Sequence, residues 1–146
     1  MTLTDSSAYE PTNDLAPPER RADLGESIAA HRLYIGVSQR GMARKLNIDR
    51  RTYQRIEKGD DLCPDGVFKD VLRLVNSFDH VVDEILAIAA RDGELNIEVN
   101  DDPQWEWERA VAFRAHVVAA GEKDGPVIKL TYVVDPPAPA GKAVGA

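Results

Sequence analysis

Cysteine is almost missing from this chain of 146 residues: Cys63 stands alone. Neither an intrachain disulfide framework nor a multi-cysteine zinc site can form, and a reducing cytoplasm is the expected compartment. Histidine is also scarce. His31, His80 and His116 lack the paired spacing of a metal site, so no cofactor is expected. No apolar run approaches the roughly 18–20 residues of a membrane span. The opening MTLTDSSAYEP lacks the basic and apolar regions of a secretory signal, so no membrane partner is expected. A Gly-rich phosphate loop and a Ser/His/Asp constellation are absent as well, and the Glu106/Glu108 pair is too close in sequence for acid–base work. An enzyme is not expected. Nor is there an excess of positive charge: 18 Lys and Arg against 25 Asp and Glu leave −7, which excludes a polybasic, histone-like chain.

That total conceals an uneven distribution. Residues 1–19 carry no basic and 4 acidic residues, residues 20–59 carry 10 basic and 4 acidic, and residues 60–146 carry 8 basic and 17 acidic. A +6 block inside an acidic chain is more informative than the sum. Hydrophobic residues make up 43%, enough for a core but not along the whole length. Residues 1–19 are rich in Thr, Ser, Asp and Pro, and residues 135–146 (DPPAPAGKAVGA) share that character. Both are expected to be disordered tails, because they bury too little apolar surface to offset the entropy of ordering.

Between the tails the expected fold is mainly α: a multi-helix domain over 20–91, then a small α+β appendage over 92–134. Leu24, Ile28, Leu33 and Ile35 suggest a first helix capped by Asp23 and ended by Gly36. Ser38 can cap a short second helix with Met42, Ala43 and Leu46 inward. Asn47 tolerates the left-handed turn that follows. Asp49 caps a third helix with Thr52, Tyr53 and Ile56 inward, and Gly59 closes it. From Pro64 to about Arg91, apolar residues track one face of a long helix, or of two helices if Ser77 caps a second. ELNIEV (94–99) and VIKLTYVV (127–134) alternate like strands. Between them Asp102-Pro103 starts a helix that Gly121 stops, with Trp107, Val111, Ala115 and Val118 on one face. The two strands are expected to pair with another chain or to pack on the long helix.

The second and third helices, joined at Asn47-Ile48, have helix-turn-helix spacing, with Ala43 as the small residue at the helix crossing. Here a resemblance becomes specific. Residues 24–59, LGESIAAHRLYIGVSQRGMARKLNIDRRTYQRIEKG, resemble the phage repressor and Cro-like (xenobiotic response element) helix-turn-helix family. The shared pattern is Arg32, Gly36-Val37-Ser38-Gln39, Met42-Ala43 and Ile56-Glu57-Lys58-Gly59. Three positions depart from it: Gly41 replaces a frequent capping-box Glu, Asn47 replaces a turn Gly, and Tyr53 replaces a smaller β-branched residue.

At 100° per residue, Arg50, Arg51, Gln54, Arg55 and Lys58 share the outward side of the third helix. Arginine can donate two parallel bonds to guanine, and glutamine can pair with adenine. The resemblance implies that Arg50, Arg51, Gln54 and Arg55 read bases, and that Gln39, at the start of the second helix, contacts phosphate. Ser38, Arg40, Arg44, Lys45 and Lys58 are further candidates for phosphate contact. The resemblance makes Arg32 and Glu57 a structural ion pair. The expected function is a sequence-specific transcriptional regulator: a dimeric repressor of bacterial or phage origin on a palindromic double-stranded DNA operator. The alternative is an antitoxin or phage control protein whose residues 94–134 hold a protein partner.

Overall fold

In a computed structural model, which describes residues 24–134, the chain is mainly helical with a small two-stranded parallel sheet. The elements are α1 (Leu24–Tyr34), α2 (Gln39–Leu46), α3 (Arg50–Lys58), α4 (Val67–Asp92), β1 (Glu94–Val99), α5 (Glu106–Ala120) and β2 (Val127–Tyr132). The expected tails and the expected cap Asp23 lie outside the described residues. No helix among the described residues is long and apolar enough to cross a membrane. The chain divides into two compact units, with the boundary between Asn76 and Ser77. That boundary falls inside α4. Within the second unit Phe78 of α4 is buried and meets Trp107 of α5 edge-on, with 5.5 Å between ring centroids.

In the first unit, local chemistry sets the ends of α2 and α3. Ser38 accepts a hydrogen bond from the Gly41 amide and so caps α2. Asn47 takes the left-handed conformation (φ 57°), and the Ile48 amide returns to the Ala43 carbonyl at 3.0 Å, closing α2. The Asp49 carboxylate accepts from the amides of Arg51 and Thr52 and caps α3, and Gly59 (φ 83°) ends it. Each such cap contributes about 1 kcal/mol. The core holds Ile28, Ile35, Met42, Tyr53, Ile56 and Val71, all at most 1% exposed. Cys63 and Phe68 join it, and Phe68 meets the His31 ring edge-on at 5.7 Å.

Two inward assignments change. Leu33 is exposed; it lies about 140° around α1 from Ile28, so it cannot share that buried face. Thr52 is exposed as well, because α3 turns Tyr53, Ile56 and Glu57 inward and leaves Thr52 just outside their arc. Ala43 is buried, and a further close helix approach lies at Gly25. A Cβ on Gly25 would stand 2.4 Å from the Glu57 carbonyl oxygen and 2.6 Å from that of Ile56. The backbone of α1 therefore rests directly on the end of α3.

The helix α4 is continuous over its 26 residues, the second unit holding only the part from Ser77 on; Ser77 lies exposed within it and caps nothing. Asp102 and Pro103 open a 3-10 turn over Pro103–Trp105, and α5 proper begins at Glu106. The strands pair with each other, in parallel, with Glu94 opposite Val127 and Val99 opposite Tyr132. A parallel pair needs a crossover between its strands, which α5 supplies. Val99 and Ile128 are buried, as are Val111, Ala112, Ala115 and Ala119 of α5. The Ile128 carbonyl accepts from His116 Nδ1 at 2.7 Å, tying helix to strand. β2 ends at Tyr132, two residues short of the expected Val134.

Candidate nucleic-acid interface

The first unit builds a cationic surface over a buried polar core. At the centre is Glu57, whose carboxylate is 6% exposed and accepts four hydrogen bonds. Arg32 of α1 gives two, Nε to Oε2 at 2.7 Å and Nη2 to Oε1 at 3.3 Å. The Tyr53 hydroxyl donates to Oε2, and Gln39 Nε2 donates to Oε1 at 2.9 Å. Arg32 Nη1 reaches the Val37 carbonyl at 3.1 Å, so this one guanidinium also fixes the loop between α1 and α2. Gln54 Nε2 then donates to Gln39 Oε1 at 3.3 Å. All three short helices thus meet through side-chain hydrogen bonds at one carboxylate.

The electrostatics follow from these contacts. Burial works to raise the Glu57 carboxyl, but the bonds from Arg32, Tyr53 and Gln39 outweigh it and hold it below the ordinary glutamate range. Burial, then the bond to Glu57, pushes the Tyr53 phenol above its ordinary value. The hydrogen bond to Glu57 raises the Arg32 guanidinium. All three shifts favour a carboxylate, a neutral phenol and a charged guanidinium at neutral pH.

Outside this core, Arg40, Arg44 and Lys45 of α2 and Arg50, Arg51, Arg55 and Lys58 of α3 are exposed. Ser38 is exposed at the start of α2, and Gln39 and Gln54 are half-buried because their amides join the network. Of the residues expected to read bases, Arg50 and Arg51 make no side-chain ion pair among the described residues. Arg55 is held by Asp61, with Nε to Oδ2 and Nη2 to Oδ1 both at 3.0 Å. That contact raises the Arg55 guanidinium. Residues 24–76 carry 10 basic and 7 acidic residues, whereas residues 77–134 carry 5 basic and 12 acidic.

Sequence reasoning missed three participants. Tyr53 stands four residues before Glu57, a spacing that puts both on one helix face and could have revealed the pair. Asp61 and Gly25 gave no comparable signal, since each acts through a contact made only once the chain has turned. No group of three or more metal-ligating side chains occurs among the described residues. Comparison with protein-family models, with curated proteins and with solved structures found no match.

Proposed function

We propose that the chain is a sequence-specific transcriptional regulator that binds double-stranded DNA through a helix-turn-helix formed by α2 and α3. The observation that carries this reading is the division of α3 into two faces. Tyr53, Ile56 and Glu57 are buried against the rest of the unit, and the outward side carries Arg50, Arg51, Arg55 and Lys58 beside Gln54. A helix anchored on one side and studded with guanidinium groups on the other suits a major groove, where arginine matches guanine O6 and N7. Ser38, Arg40, Arg44 and Lys45 lie on α2 or its cap, and on this reading they contact phosphate and set the register of α3. Gln39 gives one amide hydrogen to Glu57, which locks α2 to α3, and on this reading its second amide hydrogen meets phosphate.

One such module covers too little DNA for high specificity, so the proposed active form is a homodimer on a palindrome, with half-sites about one helical turn apart. It acts as a repressor by blocking a promoter. Selection of bound duplexes from a random pool tests this. It should return a palindromic site, and Arg51→Ala should weaken specific binding by about 1–3 kcal/mol. A pool that shows no enrichment contradicts it.

A second reading keeps the DNA-binding face and gives residues 94–134 a protein partner, as in an antitoxin or phage control protein. Phe113, Val117, Val127 and Tyr132 favour it, as large apolar side chains left 39–63% exposed. Copurification separates the two: a small partner protein should accompany the chain on the second reading and not on the first.

A further inference from the structure

Among the outward arginines of α3, Arg55 is already held in place. It is tied to Asp61 twice across the Gly59 turn. The main chain closes first: Gly59 takes φ 83°, and the amides of Asp60 and Asp61 both donate to the Arg55 carbonyl, at 2.9 and 3.2 Å. The side chains close second, through the two 3.0 Å bonds from Nε and Nη2 to the two carboxylate oxygens. Both side chains stay accessible, at 51% and 37%, so water screens the pair and it adds little stability.

Its effect is geometric. A guanidinium has two edges that can each donate a parallel pair of hydrogen bonds, and the carboxylate occupies the Nε–Nη2 edge. The remaining Nη1–Nη2 edge is the one that can meet guanine O6 and N7 with two more. An unheld arginine on an exposed helix gives up its rotamer freedom on binding, whereas Arg55 has given it up beforehand.

We infer that Asp61 is a positioning residue that sets specificity: it aims Arg55 at one guanine in each half-site. This rests on the DNA-reading function proposed above. The competing reading makes Asp61 a stand-in for phosphate that shields Arg55 from DNA.

The test uses the full chain and its selected duplex, with each base pair of the half-site substituted in turn and affinities measured at fixed salt. Arg55→Ala should remove discrimination at one G·C pair, a loss of roughly 5- to 150-fold. Asp61→Asn and Asp61→Ala should weaken discrimination at that same pair and leave the others unchanged. Asp61→Ala added to Arg55→Ala should change nothing further. Thermal midpoints of the single Asp61 variants should match the parent, since the pair is exposed. Tighter binding to every duplex by Asp61→Ala, with base preference intact, overturns the inference in favour of shielding. So does unaltered discrimination in both Asp61 variants. If the parent chain selects no duplex, the DNA-reading function fails, and this inference with it.

Discussion

At the scale of single residues, Glu57 carries the most. It is a buried carboxylate with four donors from three other residues, and removing one donor leaves the rest of the site unbalanced. Arg32→Ala should destabilise the first unit by about 3–5 kcal/mol in urea unfolding, because it strands a buried charge. Tyr53→Phe deletes one donor only and should cost about 1–3 kcal/mol. The pH dependence has two limbs with opposite signs. The Glu57 carboxyl is lowered on folding, so its contribution is complete above the ordinary glutamate range. It is lost as pH falls through that range and then through the lowered folded value. The Tyr53 phenol is raised on folding. Its contribution is complete below about pH 10, the ordinary tyrosine value, and is lost as pH rises beyond it toward the folded value. Thermal midpoints across pH should show both limbs in the parent, and Tyr53→Phe should lack the tyrosine part of the alkaline one.

At the scale of elements, the helix ends test how local chemistry places α2 and α3. Asn47→Ala should cost about 1 kcal/mol, since a Cβ without a compensating side-chain amide is strained at φ 57°, whereas Asn47→Gly should not destabilise. Gly25→Ala should cost more than either, because the added methyl meets backbone oxygen that no rotamer change can move. Circular-dichroism melts of the three variants check that order. These same elements show what was legible in the amino-acid order. Ser38, Asn47, Asp49 and Gly59 act through neighbours at most a few positions away, so their capping and turn roles could be read directly. ELNIEV alternates over six residues, and β1 has the boundaries read from that alternation. Contacts between distant segments were not legible. Nothing in the residues of β1 or β2 specified that they pair with each other in parallel; α5 between them decides that. Gly25 reads as a weak helix residue until α3 lies across it, and Asp61 reads as a solvated acid until the Gly59 turn brings it to Arg55.

At the scale of the whole molecule, charge separates along the chain: residues 24–76 are net positive and residues 77–134 net negative. On the proposed function the negative unit is kept off the duplex by repulsion, and binding weakens steeply with salt. Arg40→Ala, Arg44→Ala and Lys45→Ala should each reduce the slope of log affinity against log salt by about 1 while leaving base preference unchanged. A variant that alters preference without altering the slope would move that residue from backbone to base.

The central claim is that the arginine side of α3 meets a duplex while Tyr53, Ile56 and Glu57 anchor its other side. Backbone amide shifts, followed by NMR as a selected duplex is added to the full chain, test it most directly. The changes should concentrate in residues 38–45 and 50–61 and spare 94–134. Changes centred on 94–134, or none in α3 at saturating duplex, would contradict it.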